Sequence, residues 1–232
     1  QTLIHSHISD RELGKIYQAD APIHAGPNQL AAALAARPVL GDWSGWQQKG
    51  RAGFQAMRSG ASQQGAVNMV EICAWLRDHL AKDAIVTNGA GNFAIWPSKF
   101  LDFGAGMRLL APQSGAMGAG LPAAIAAKAA DPARQVLCFA GDGDIQMTLA
   151  ELGTAAQENL QPIVLVLNNG MYGTIRAHQE KHYPNRISAT RIINPDFVAL
   201  AKAYGMHSEK ISNTADFAAA FERARNSATG AL

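Results

Sequence analysis

The chain has 232 residues, 48% of them hydrophobic and 16% charged, with a net charge of +2. That length supports one good core, or one domain plus a fragment of another, and a charge near zero with no basic stripe speaks against a nucleic-acid partner. No apolar run approaches the roughly 18–20 residues of a membrane span, and the start Gln1-Thr2-Leu3-Ile4-His5 lacks the basic and apolar regions of a signal peptide. Cys73 and Cys138 both lie in apolar patterns, where buried, inert thiols are expected rather than a disulfide. The expectation is a cytoplasmic α/β protein.

Along the chain, residues 2–9 alternate as a short strand, residues 11–20 connect, and residues 28–36 form a short helix. From 37 to 65 the pattern dissolves into Pro, Gly, Trp, Gln and Ser, which predicts a linker that packs through Trp43 and Trp46. A regular rhythm starts at Asn68. With Glu71 three residues on, Asn68 opens a helix to about Leu80. A strand is predicted at 84–88, a helix at 91–101, a short strand at 109–111 and a small-residue helix at 117–130 with Pro122 in its first turn. There follow a strand at 135–140, a helix at 145–158, a strand at 162–168 and a short helix at 172–180. Asn194 with Pro195 at the first helical position starts a helix to about Tyr204, and Gly205 stops it. A strand at 206–211 and a final helix capped by Asn213 or Thr214 end the chain. This alternation argues for a doubly wound parallel sheet covered by helices on both faces.

Two of the predicted strands each deliver an oxygen ligand where they end. Asp142 sits in Gly141-Asp142-Gly143 behind the apolar run 136–140, and Asn169 ends Asn168-Asn169 behind the run 162–167. In an open parallel sheet, ligands bind at the carboxyl ends of the strands. One carboxylate plus one amide oxygen suits a hard cation such as Mg²⁺, which keeps water and phosphate oxygens as further ligands. Two ordinary strand-to-helix turns are the plainer alternative.

Three glycine-rich segments accompany this pair. Gly89-Ala90-Gly91-Asn92-Phe93-Ala94 matches the G-x-G-x-x-A pattern of dinucleotide-binding folds, but no acidic residue stands at the end of a second strand about 20 positions on, as a ribose contact requires. A nicotinamide oxidoreductase is therefore the weaker alternative. The others are Ser114-Gly115-Ala116-Met117-Gly118 and Gly170-Met171-Tyr172-Gly173-Thr174.

The Gly-Asp-Gly…Asn-Asn pair at its spacing of 27 positions (169 − 142) resembles the cofactor motif of thiamine-diphosphate-dependent enzymes. Thr148-Leu149-Ala150-Glu151-Leu152, Arg176 with Gln179 and Glu180, and Asn194-Pro195-Asp196-Phe197 look like the acetolactate synthase and benzoylformate decarboxylase-like group. The resemblance implies that residues 66–232 are the family's diphosphate-binding domain, that residues 37–65 are a linker and that residues 1–36 are the tail of a middle domain. It further implies that Asp142, Asn169 and the Met171 carbonyl hold Mg²⁺ on the diphosphate of thiamine diphosphate. Ala90, Gly91, Asn92 and Phe93 would contact the diphosphate, as would Gly141, Gly143 and Asp144 around the metal carboxylate and Tyr172, Gly173 and Thr174 after the Asn pair. The Gly115 carbonyl would accept from the aminopyrimidine, and Met117 would wedge between the two rings.

The chemistry implied is decarboxylation or carboligation of a 2-keto acid, with FAD allowed elsewhere in the full-length protein. The family's catalytic Glu lies on a pyrimidine-binding domain of the partner subunit in a homodimer or homotetramer, and none of the seven Glu residues here belongs to that domain. The isolated chain is therefore expected to be inactive, a Mg²⁺–diphosphate binding module taken from a longer protein. Ala177-His178-Gln179 stands where acetolactate synthases carry a triplet centred on Trp. His178 and His182, four apart on a predicted helix, lack a third metal ligand and are expected at the surface or in a substrate pocket.

Overall fold

The computed structural model describes residues 1–38, 41–59, 61 and 63–232, and the chain divides into two compact units, residues 1–55 and 56–232. In the first, β1 (Ile4–His7) pairs in parallel with β2 (Ala21–His24), Ile4 opposite Ala21 and His7 opposite His24. The four residues of β2, one of them Pro22, are too few for a periodic signal, and the sequence pattern does not announce them. α1 (Pro27–Ala35) follows with Pro27 in its first turn, where no N–H is needed. α2 (Ser44–Ser59) runs through the stretch predicted as linker and buries none of its residues. Trp43 and Trp46 are exposed rather than packed. Trp46, Phe54 and Met57 share one face of α2. Four residues of the predicted linker, at 39, 40, 60 and 62, lie outside the described residues.

The second unit builds the sheet. α3 (Met69–His79) starts at Asn68, whose Oδ1 accepts from the Val70 and Glu71 N–H groups while its Nδ2 donates to Glu71 Oε1. The Asn68 backbone N–H donates instead to Thr214 Oγ1 at 2.7 Å. There follow β3 (Ile85–Asn88), α4 (Ile95–Phe100), β4 (Arg108–Leu110), α5 (Gly120–Ala130), β5 (Val136–Gly141), α6 (Asp142–Ile145), α7 (Glu151–Gln157), β6 (Ile163–Leu167), α8 (Gly173–His182), α9 (Phe197–Ala203) and α10 (Thr214–Arg225). The predicted helix at 145–158 is in fact α6 and α7 with a turn between them. The strands lie in the order β4-β3-β5-β6, all parallel.

Alternation along the strands sorts the core into two layers. Ile85, Val136, Cys138, Ala140 and Val164 pack with Leu121, Ala124, Leu152 and Phe197 from α5, α7 and α9. Val86, Leu137, Phe139 and Ile163 pack with Ile72, Leu76, Phe100 and Phe217 from α3, α4 and α10. A strand buried on both sides must be apolar at every position, and β5 is buried along its whole length.

Two predicted boundaries shift for identifiable reasons. α9 begins at Phe197 behind Asp196, whose carboxylate accepts from the Ala199 N–H at 3.0 Å; Asn194 and Pro195 lie outside the helix because Asn194 is engaged elsewhere. The strand predicted at 206–211 reduces, among the described residues, to a single parallel bridge between His207 and Ala231. Ala231 also bridges Ile163, so residues 230–232 enter between β6 and the 207–209 segment.

Burial raises both thiols to about 12, and both are free. Native protein is expected to leave both unmodified by a thiol-specific disulfide reagent at pH 8, whereas denatured protein titrates two; one fast-reacting native thiol would contradict this burial. Gly120 makes a second test. An Ala in a helix is ordinarily favoured over Gly by about 1 kcal/mol, but here a Cβ would stand 2.7 Å from Gly89 N and 2.9 Å from the Asn88 carbonyl carbon. Backbone cannot rotate away, so Gly120→Ala is expected to lower the unfolding free energy by about 1–3 kcal/mol, measured by urea denaturation.

Candidate functional site

Each strand of the second unit ends on a loop that was singled out from the sequence. β3 leads into 89–94, β4 into 111–119, β5 into Asp142 and β6 into Asn168-Asn169. The connections after β3 and β5 leave toward opposite edges of the sheet, so a topological switch point lies between these neighbours.

Asp144 occupies that point. It is 3% exposed, and its Oδ1 accepts from Ala90 N at 3.0 Å and Gly118 N at 2.9 Å. One carboxylate oxygen thus holds the loop after β3 to the loop before α5. Desolvation raises the Asp144 pKa, and the two N–H donors oppose it. A Cβ on Gly89 would collide with the Asp144 carboxylate, which explains why the first residue of the loop is glycine. Thr148 Oγ1 donates to the Gly118 carbonyl at 2.8 Å, and Thr87 Oγ1 to that of Gly120. Gly118 itself adopts φ +79°, a backbone conformation that favours glycine.

Asp142 begins α6 and is 2% exposed. Its Oδ2 accepts from Gly170 N at 2.8 Å and from Asn194 Nδ2 at 2.7 Å, and among the described residues Oδ1 has no donor. Asn169 Oδ1 accepts from Met171 N at 3.1 Å, closing a local turn that leaves the amide oxygen its second lone pair. The segment 170–172 is backed by 190–192: Tyr172 N donates to Thr190 O at 2.8 Å and Ile192 N to Gly170 O at 2.9 Å. This pairing bypasses the Met171 carbonyl.

Several of the other residues expected at the site lie close to one another around these strand ends. Phe93 lays its ring over Gly141, where a Cβ would stand 2.6 Å from it, and Tyr172 lies against Gly143, 2.5 Å from such a Cβ. The Asn92 N–H and Oδ1 both engage Thr174 Oγ1 at 2.9 Å, tying the loop after β3 to the start of α8. Gly173 follows Tyr172 closely enough that a Cβ would meet Asn169 Nδ2 at 3.2 Å. Ala90 is half-buried and Gly91 exposed at the loop tip; Gly115 is exposed and Met117 half-buried in the loop before α5. His178 and His182 stack at 6.1 Å on exposed positions of α8.

Among the described residues no three His, Cys, Asp or Glu side chains gather to hold a metal. A cation here would take one carboxylate and neutral oxygens. Asp142 Oδ1, Asn169 Oδ1 and the Met171 carbonyl are an all-oxygen set, and they fit Mg²⁺ rather than a soft metal. Asn194 and Gln146 were not singled out from the sequence for this site; Asn194 lies 52 residues from Asp142, and no local pattern marks such a partner.

Comparison with known proteins bears on this geometry. Residues 89–232 match the family described as thiamine pyrophosphate enzyme, C-terminal TPP binding domain. The acetolactate synthase large subunit of Parasynechococcus marenigrum is 41% identical over 152 residues, covering 65% of this chain and 24% of that protein. The acetolactate synthase isozyme 2 large subunit of Escherichia coli is 30% identical over 233 residues, covering 97% of this chain and 41% of that protein. The chain therefore spans well under half the length of these curated relatives. In structure it is similar to a Rhodococcus jostii thiamine diphosphate-dependent 4-hydroxybenzoylformate decarboxylase, with TM-score 0.78 and 26% identity, over 100% of this chain and 43% of that one. With the match running from the loop after β3 to the last residue, the chain belongs to the thiamine pyrophosphate enzymes and carries their C-terminal, cofactor-binding domain, of the acetolactate synthase-like kind.

Proposed function

We propose that the full-length protein is a thiamine-diphosphate- and Mg²⁺-dependent lyase or transferase acting on a 2-keto acid, and that residues 66–232 are its diphosphate-binding domain. Residues 1–36 would then be the tail of a middle domain and 37–65 the connection. The observation that carries this proposal is Asp142: a buried carboxylate at a strand end, one oxygen saturated by two donors and the other without one. Oδ1 is not sealed off from solvent, so a cation arriving from outside can complete the carboxylate.

Asp142 Oδ1, Asn169 Oδ1 and the Met171 carbonyl would hold Mg²⁺, and the cation would offset the diphosphate charge. Ala90, Gly91, Asn92 and Phe93, the segment 141–144 and Tyr172, Gly173 and Thr174 would line the diphosphate. The Gly115 carbonyl and the Met117 side chain, in the loop that Asp144 anchors, would orient the two rings. When bound, the cofactor supplies carbanion chemistry at a keto carbon; this chain's residues bind it, orient it and neutralise it. Proton transfer would fall to a Glu on the pyrimidine-binding domain of a partner subunit, making the working unit at least a dimer. Two free buried thiols support a cytoplasmic enzyme.

Calorimetric titration of thiamine diphosphate into the chain tests the site. Heat of binding is expected with Mg²⁺ and is expected to vanish with EDTA or with Asp142→Ala. Binding indifferent to both would overturn the proposed metal set. The chain alone is expected to turn over no pyruvate; steady turnover by it would refute the need for a partner's Glu.

A further inference from the structure

We propose that Asn194 is a positioning residue for the cation site: it fixes the Asp142 carboxylate so that Oδ1 is presented to the metal, and Gln146 fixes Asn194 in turn. This rests on the assignment of Asp142 as a metal ligand made above.

The hydrogen-bond chemistry leaves a single arrangement. A carboxylate only accepts, so the Asn194 atom 2.7 Å from Asp142 Oδ2 is its amide nitrogen. The same nitrogen donates its second proton to Asn168 Oδ1 at 2.8 Å. That leaves the Asn194 Oδ1 as acceptor, and Gln146 Nε2 supplies the donor at 2.8 Å while also reaching the Asp142 backbone carbonyl at 3.3 Å. Both amide protons and the amide oxygen of Asn194 are thereby engaged.

The consequence for Asp142 is geometric. A carboxylate held only by Gly170 N can swing about its own bond and exchange its two oxygens. With the second donor on the same oxygen, Oδ2 is pinned and Oδ1 is left for a cation. Asn194 also ties together three segments that meet only in the folded chain, since it touches the end of β5, the Asn pair after β6 and, through its own backbone, the entry to α9. Partners that orient a ligand in this way typically change metal affinity about 10–100-fold when removed.

Thiamine diphosphate binding to the chain, measured by calorimetry across a Mg²⁺ series, tests the role. Asn194→Ala is expected to raise the Mg²⁺ concentration needed for half-maximal binding by about tenfold or more. At saturating Mg²⁺ its thiamine diphosphate affinity is expected to return to that of the parent chain, a recovery that a merely disrupted loop would not show. Gln146→Ala is expected to give the same pattern more weakly, and it replaces Asn194→Ala if that variant fails to fold. An unchanged Mg²⁺ midpoint in Asn194→Ala, or a loss of affinity that excess Mg²⁺ does not restore, overturns the positioning role while leaving the Asp142 site intact. Wild-type binding by Asp142→Ala instead removes the metal assignment itself, and so does a parent chain that binds no thiamine diphosphate in a Mg²⁺-dependent way.

A second readout needs no metal. The Asn194 side-chain amide protons are expected to exchange with solvent more slowly than those of the exposed Asn159, and to speed up in Asp142→Ala. Exchange as fast as at Asn159 in the parent chain would show the bonds to be absent.

Discussion

The carboxyl edge of the sheet depends on Asp144 lying buried between two loops that are otherwise independent. Its Oδ1 takes one backbone N–H from the loop after β3 and one from the loop before α5. Each such loop has unpaired N–H groups at a sheet edge that must be satisfied when buried. A single acceptor shared by both sets their separation. Burying that charge is costly, as its raised pKa indicates, and charge-assisted bonds from the two N–H groups offset part of the cost.

Close packing around this knot dictates the glycines. Gly89 makes room for the Asp144 carboxylate, Gly120 for the backbone of β3, Gly141 for the Phe93 ring, and Gly143 for Tyr172 and Ile192. In each case the missing Cβ is replaced by a neighbour from another segment. The site is therefore built from backbone approach as much as from side chains, which suits a ligand recognised through phosphate oxygens and a hard cation.

Below the edge, the two-layered core gives these loops a stiff platform. β5 is buried on both faces and lies next to β3 and β6, so the segments carrying Asp142, the 89–94 loop and the Asn pair start from adjacent, well-packed strand ends. Rigid strands below and short loops above are the arrangement that holds a polar site in register. The bonds between Thr174 and Asn92, and those from Asn194, add ties between loops that the strands alone would leave free.

The linear sequence determined the parallel α/β class, the strands β3, β5 and β6, and the placement of Asp142 and Asn169 at strand ends, because apolar runs and glycine turns are local patterns with a fixed structural period. Even the capping of α3 by Asn68 was legible, since its partners lie two and three residues away. Tertiary structure alone decided the rest. α2 is helical although its composition suggested a linker packed through Trp43 and Trp46, and the stretch at 206–211 forms one bridge rather than a strand, because strand pairing depends on a neighbour distant in sequence. Asn194 passed as a helix start by its local pattern; the fold placed it 2.7 Å from a carboxylate 52 residues away. Asp144 reads from the sequence as a diphosphate contact; the fold instead engages its carboxylate with the N–H groups of Ala90 and Gly118. Such contacts join positions of large sequence separation, and no periodicity or spacing along the chain encodes them.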